Sequence, residues 1–333
     1  QAINALNVFP VPDGDTGTNM ALTMLAAAKE VQSVKEESIG HVVNALASGA
    51  LKGARGNSGV ILSQLFRGFA RAIQNEDKIT TDKYAEALKA GADTAYKAVM
   101  KPVEGTILTV ARVTAQEAKK LAKTQKNFEL FHKEIIKVAK DILDKTPEML
   151  PVLKQAGVVD SGGMGLLYIM IGSSHALKGK FEIEDSLLES QVISPLMELM
   201  SGAGEDIEYG YCTEFLIKNL YPYVEEGDGD KLKDRLNKLG DSIVVASDQN
   251  IIKVHVHTNM PGKVLQLALR FGELSTIKID NMREQHRHIN EIDNMGTGSD
   301  KKMPEKECGV ISVAMGEGIS SIFKDLSVDY VIE

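Results

Sequence analysis

The chain has 333 residues, is 43% hydrophobic, contains no Trp and carries a formal net charge of −8. That length accommodates two or more domains with separate cores, and an acidic balance without a basic stripe excludes nucleic acid as the main partner. No apolar run approaches the roughly 18 residues of a membrane span and no signal peptide is visible, while two cysteines, Cys212 and Cys308, cannot build a disulfide framework, so a reducing cytoplasm is expected.

Residue 1 opens almost inside a loop rich in Pro, Gly and Asp, with no initiator Met, and Ser327 to Glu333 read as a strand with nothing after it; a longer parent chain is expected. The loop runs Asn7-Val8-Phe9-Pro10-Val11-Pro12-Asp13-Gly14-Asp15-Thr16-Gly17-Thr18-Asn19-Met20. A single glycine separates Asp13 from Asp15, so both carboxylates can converge on one hard cation, and Mg2+ is usually held by one or two carboxylates plus phosphate oxygens. Small and polar residues then lead into a helix start, where free N–H groups and the helix dipole favour an anion. Asp, Gly and Thr are also ordinary turn and cap residues, so the triplet alone reads first as a capping turn.

Residues 18–178 read as successive helices, with apolar stripes at Met20, Leu22, Met24 and Leu25, then Val42, Val43, Leu46 and Ala50, then Val60, Ile61, Leu65, Phe66 and Phe69, and further stretches near 82–100, 106–123, 127–145 and 161–178. The expectation is an all-α bundle or barrel of about eight helices, one of them preceding residue 1. Three further loops precede helices: Ser48 to Gly59, Glu104-Gly105-Thr106, and Asp160 to Gly165. Alternate loops of an up-and-down bundle share one end, where gathered helix N-termini suit phosphates. No GxxxxGK[ST] pattern and no protein-kinase motif set occurs.

Residues 181–206 read as an acidic connector with a short helix near 195–201. Strand 208–218, helix 229–239, strands 242–248 and 251–258, helix 261–271 and strand 274–281 follow, a β-α-β-β-α-β order of the split, ferredoxin-like kind. A helix near 282–292, a polar linker 293–306 and the start of an α/β domain from 307 complete the chain, the last opening on a strand at Gly309 to Ala314. The domain boundaries expected are therefore 1–180, 181–206, 207–292, 293–306 and 307–333.

His255 and His257 are two apart on a predicted strand and share a face. In a sheet of order 4-1-3-2 the first and third strands are neighbours, so Cys212 can join them as a three-ligand Zn2+ site. His-x-His on a strand is also a common half-exposed pair. His286 and His288 fall in a predicted helix, where i and i+2 face apart, and Cys308 reads as a small buried residue.

The stretch NVFPVPDGDTGTNM, with the three later loops, resembles the DhaL-type kinase domain of dihydroxyacetone kinases over about 180 residues, and its wording is similar to the catalytic, ATP-binding subunit family of bacterial fatty acid kinases. That resemblance implies ATP and two Mg2+ ions held by Asn7, Asp13 and Asp15, of which most glycerone-type members carry Asp in place of Asn7. It places Thr16, Gly17, Thr18 and Asn19 along the nucleotide, Ser58 and Gly59 at phosphate, Thr106 near adenine or ribose, and Asp160 at the nucleotide edge. Arg55 or Lys52, the cations of the second loop, is a candidate to stabilise the transferred phosphoryl group or else a solvated loop cation. The same resemblance favours Zn2+ at Cys212, His255 and His257, through the GYCTEF and KVHVHT motifs. It implies a fatty acid carboxylate as acceptor, presented by a separate fatty-acid-binding carrier protein to give an acyl phosphate for phospholipid synthesis. It further implies a homodimer formed through the middle domain. A kinase of a small polyol such as dihydroxyacetone, and a non-catalytic ATP-binding regulator, remain the alternatives.

Overall fold

A computed structural model describes residues 1–35, 38–179, 208–225, 227–248 and 250–284, with 311–313, 323, 326 and 330–332 beyond them. The short helix expected near 195–201, most of the helix at 282–292, the linker 293–306, His286, His288 and Cys308 lie outside the described residues. None of the helices among the described residues is long and apolar enough to cross a membrane.

A 3-10 turn, Asn4–Leu6, leads into nine helices. These are α1 (Thr16–Gln32), α2 (Ile39–Gly53), α3 (Gly56–Ile73), α4 (Thr81–Ala98), α5 (Ile107–Leu121), α6 (Phe128–Leu143), the short α7 (Thr146–Met149) and α8 (Pro151–Ala156), and α9 (Ser161–Leu177). The apolar stripe of α6 supplies Phe131, Ile135 and Leu143, which meet Val110 of α5 and Leu167 and Met170 of α9 in one buried cluster. Close approach of α3 and α4 depends on two glycines. A Cβ at Gly68 would lie 2.2 Å from the Ala90 carbonyl oxygen, and one at Gly91 would lie 2.6 Å from that of Leu65.

Helix capping follows a pattern that matters for the site. Helices α2, α4 and α6 are capped by side chains: Ser38 accepts from the His41 N–H at 3.2 Å, Thr80 from the Lys83 N–H at 3.3 Å and Asn127 from the Leu130 N–H at 3.0 Å. Helices α1, α3 and α5 start at Asp15, Arg55 and Thr106 with no side-chain cap bond. Uncapped first-turn N–H groups need another partner, and these three helices alternate along the chain, so their starts share one end.

The second structural region is a four-stranded sheet of β1 (Tyr211–Lys218), β2 (Gly240–Asp248), β3 (Ile251–Thr258) and β4 (Glu273–Asn281), in the order β2-β3-β1-β4 with all neighbours antiparallel. Helices α10 (Asp228–Leu236) and α11 (Pro261–Ala268) cover one face. Strand periodicity of two sends Phe215, Ile217, Ile252, Val254 and Val256 into the core beneath them, with Leu232, Leu236 and Val264 from the helices. The alternate residues, Cys212 and Glu214 on β1 and Lys253, His255 and His257 on β3, therefore lie on the opposite face.

That face meets the bundle. Val244 and Ala246 of β2 pack with Leu51, Ala54, Val60 and Ala98. Beside this seam the chain leaving α4 pairs with β2 through a Val99–Val244 bridge, and the Met100 N–H donates to the Ile243 carbonyl at 3.2 Å. Lys233 adds hydrogen bonds to the carbonyls of Lys97 and Val99 at 2.6 and 3.1 Å. The edge of β2 is thus covered by backbone rather than left open. The bundle and sheet form one compact unit, residues 1–288; residues 289–333 form another, in which β5 (Ile311–Val313) and β6 (Tyr330–Ile332) pair in parallel.

Gly68→Ala should destabilise the protein by about 1–3 kcal/mol through overpacking against α4, although Ala in a helix normally gains about 1 kcal/mol over Gly. Urea unfolding at unchanged slope measures it; a stabilised variant would contradict the close α3–α4 contact.

Candidate functional site

A cavity of about 470 Å³ lies between the bundle and the polar face of the sheet, within the usual size of small-ligand sites. All four helix-start loops reach it: Asn7, Asp13, Asp15 and Thr16; Gly56, Asn57 and Ser58; Thr106; and Asp160 with Ser161 and Gly162. Cys212, Glu214, His255 and His257 line it from the sheet.

The first loop passes through a cis Phe9–Pro10 peptide bond. Asp15 stands at the N-cap of α1 but makes no side-chain cap bond, so its carboxylate is not consumed by the turn. Burial, followed by the charge of Asp15, pushes the Asp13 carboxyl up to about 7. Asn7, itself buried, donates through Nδ2 to Asp13 Oδ1. Two adjoining carboxylates in a part-buried pocket repel each other unless a proton or a cation lies between them, and this donor set fits a hard cation such as Mg2+. Asn7 faces the pair with its amide nitrogen. Presenting an oxygen to the same ion requires the amide to turn over.

The remaining residues of the nucleotide reading separate in space. Thr16 lines the cavity and accepts a hydrogen bond from Ser161 at 3.3 Å, joining the first loop to the fourth. Gly17 and Thr18 turn toward the 3-10 segment, where Asn4 and Thr18 exchange two hydrogen bonds of 2.9 and 3.0 Å. Asn19 is buried against Gly56, and a Cβ at Gly56 (φ +57°) would lie 2.4 Å from its Nδ2. Ser58 lines the cavity, while Gly59 packs behind it against Thr23 and Ala54. Thr106 lines the cavity, but its hydroxyl donates to the Val103 carbonyl at 2.8 Å. Asp160 is buried, accepts from the Gly163 N–H at 2.7 Å and caps α9; burial pushes its carboxyl up to about 6. It holds the starts of α9 and α5 together through a further bond from the Ile107 N–H.

The two cations of the second loop do not line the cavity. Lys52 pairs with Glu30 at 2.7 Å and Arg55 is exposed. The cationic side chains that do line it are Lys101, between α4 and α5, and Lys278 of β4, which pairs with Asp280. Asn57 also lines it, and its Oδ1 is buried with no hydrogen-bond partner. Neither lysine is distinguished by any sequence pattern, whereas Asn57 lies in the second loop beside Ser58. Glu214 is different: it stands two residues after Cys212, so the strand period already places it on the same face.

The ligand atoms of Cys212, His255 and His257 lie within 4.8 Å of one another. Register pairs Cys212 with His257 and Glu214 with His255 across β1 and β3. The two Nε2 atoms lie 3.2 Å apart, close to the roughly 3.4 Å expected between two nitrogens on a tetrahedral Zn2+, and Cys212 Sγ lies 3.8 Å from His255 Nδ1. Behind them, His255 Nδ1 is 3.1 Å from Glu214 and His257 Nδ1 is 3.8 Å from Asp241. A carboxylate behind each ligating histidine is the usual outer shell of a metal site, so this donor set fits Zn2+. Burial opposes a charge on His255, but Cys212 and Glu214 outweigh it and hold its pKa well up; burial and the His255 charge hold that of His257 down. Glu214 is held far below the usual carboxylate range despite burial, chiefly by His255.

Residues 10–174 match the DAK2 domain, and residues 208–289 match the middle domain of the fatty acid kinase A-subunit-like proteins. Protein YloV of Bacillus subtilis strain 168 is 46% identical over 337 aligned residues, covering 100% of this chain and 61% of its own length. The uncharacterized proteins SAB1090 and SAR1202 of Staphylococcus aureus are each 46% identical over 99% of this chain and 60% of theirs. The chain therefore spans about three fifths of the curated relatives it matches.

With the Asp13 carboxyl near 7, the metal-free native state binds a proton that the unfolded chain releases near pH 4. Its contribution to stability is thus lost as pH rises from about 4 to about 7. An Mg2+ ion held here would have to displace that proton, so Mg2+ affinity should rise roughly tenfold from pH 6 to pH 8, read as a larger Mg2+-induced shift of melting temperature at pH 8. Equal shifts at both pH values would remove Asp13 from the ion site.

Proposed function

The chain joins a DAK2 domain to a middle domain of the fatty acid kinase A-subunit-like kind, and on that footing we propose that it is an ATP- and Mg2+-dependent kinase subunit that phosphorylates a fatty acid carboxylate presented by a separate carrier protein. The observation that carries this reading is the shared cavity in which the Asp13–Asp15 pair, the uncapped starts of α1, α3 and α5, and the Cys/His face of the sheet meet.

Phosphoryl transfer needs positioning and charge neutralisation rather than a protein nucleophile. Bound Mg2+ would neutralise phosphate charge that an acidic cavity otherwise repels. Asn7, Asp13 and Asp15 would hold the ions, and the first-turn amides of α1, α3 and α5 other than those bonded to Asn4, Glu214 and Asp160 would receive phosphate oxygens. Ser58 and Asn57 lie beside those amides, with Thr106 and Asp160 framing the other loops. Lys278 and Lys101, rather than Arg55, are the cationic side chains placed to meet the transferring group. A carboxylate oxygen attacks the terminal phosphorus, the bond to the bridging oxygen breaks, and ADP leaves beside an acyl phosphate. The acceptor is already ionised at neutral pH, so no residue need remove a proton, whereas a polyol hydroxyl would need a base.

Cys212, His255 and His257 form the Zn2+ site of this reading. Dimerisation falls to the middle domain, where the edge strand β4 leaves Ile277 and Ile279 largely exposed. The carrier docks on the segment that begins near residue 307.

Asp13→Ala and Asp15→Ala should each lower turnover by at least about 100-fold while leaving helical circular dichroism unchanged. ATP consumption with a lipid-loaded carrier, set against dihydroxyacetone, identifies the acceptor. Turnover with dihydroxyacetone alone would favour the polyol kinase. No turnover with either, alongside thermal stabilisation by ATP–Mg2+, would favour the regulator.

A further inference from the structure

One buried acid faces both halves of the cavity. Glu214 of β1 is 4% exposed. A single oxygen, Oε1, accepts the Gly56 N–H at 2.7 Å and lies 3.1 Å from His255 Nδ1, with Cys212 Sγ at 3.9 Å. The other oxygen faces Lys253 Nζ at 3.4 Å. Gly56 opens α3 in the bundle, and His255 belongs to the sheet, so one atom is shared by donors from both structural regions. A structural Glu–Lys ion pair accounts for Oε2. It does not account for an Oε1 directed at a helix-start amide and a ligand histidine together.

Resting on the kinase and metal reading above, we propose that Glu214 is a positioning residue that couples the Cys/His metal site to the phosphate-binding start of α3. By accepting Nδ1–H of His255 it leaves the Nε2 lone pair, 3.2 Å from His257 Nε2, available to a metal ion. By accepting the Gly56 N–H it fixes the first turn of α3 beside Asn57 and Ser58. A change in the charge His255 donates alters the strength of the bond left for Gly56, and the reverse holds equally. Metal binding and nucleotide binding are therefore linked reciprocally.

The test uses the purified full chain, stripped of metal and titrated with Co2+, whose d–d and thiolate charge-transfer bands report the cluster. Glu214→Ala should bind Co2+ about 10–100-fold more weakly with an altered spectrum. Glu214→Gln should fall between, because its carbonyl can still accept both bonds only by turning its NH2 toward Lys253. In the wild type, Co2+ should change the Kd of ATP–Mg2+ by at least about fivefold, and that change should vanish in Glu214→Ala. Unaltered Co2+ affinity and spectrum in Glu214→Ala would overturn the proposal. If that variant fails to fold, an ATP–Mg2+ affinity insensitive to Co2+ in the wild type overturns it instead. A wild type that binds no Co2+ removes the metal site and this coupling with it, while intact ATP–Mg2+ binding leaves the kinase reading standing.

Discussion

Carboxylates drawn wholly or partly out of water require a counter-charge, and in this protein that requirement organises the site. Asp13, Asp15, Asp160 and Glu214 line one cavity between bundle and sheet. Each meets the requirement differently. Asp160 spends its charge on backbone N–H groups at two helix starts. Glu214 is answered by His255, Lys253 and the Gly56 amide. Asp13 meets Asp15 and the Asn7 amide, and burial, followed by the charge of Asp15, pushes its carboxyl up to about 7. A polar network left incomplete in a low-dielectric setting is costly, and at the acid pair a bound cation would relieve that cost.

The helix starts supply the opposite sign of charge. Ser38, Thr80 and Asn127 satisfy the first turns of α2, α4 and α6 away from the cavity. The starts of α1, α3 and α5 carry Asp15, Arg55 and Thr106 without a cap bond. Anions at such termini need only backbone N–H groups and the dipole. In the proposed kinase the acid pair and these helix starts would be complementary halves of a cation–polyphosphate site, through which an acidic chain could receive an acidic nucleotide.

Much of this was legible from residue order. The helical stripes, the turn residues that separate them and the period-two alternation of β1 and β3 depend on local spacing. The same alternation made the His255–His257 face readable, and would have pointed to Glu214 as well. Less legible were the roles of exposed-looking cations and loop polar groups. Arg55 and Lys52 stand in the second loop, yet neither lines the cavity. Lys101 and Lys278 arrive from segments without any motif, because a long side chain's position depends on what its element packs against. Gly17 and Thr18 belong to the signature stretch but are held by Asn4, a contact across 14 residues that spacing does not reveal.

Sequence by itself determined the two kinds of element, the Asp13–Asp15 pair, and the shared strand face of Cys212, His255 and His257. Periodicity and a one-residue gap are local properties, and local geometry enforces them. Only the tertiary structure decided that the sheet lays this face over the starts of α1, α3 and α5. The apolar seam of Val244 and Ala246 against Leu51, Val60 and Ala98, with β2 paired to Val99, sets that docking. It is also what gives one oxygen of Glu214 donors from both sides. Such convergence arises from the packing of surfaces distant in sequence, which neither motif carries alone.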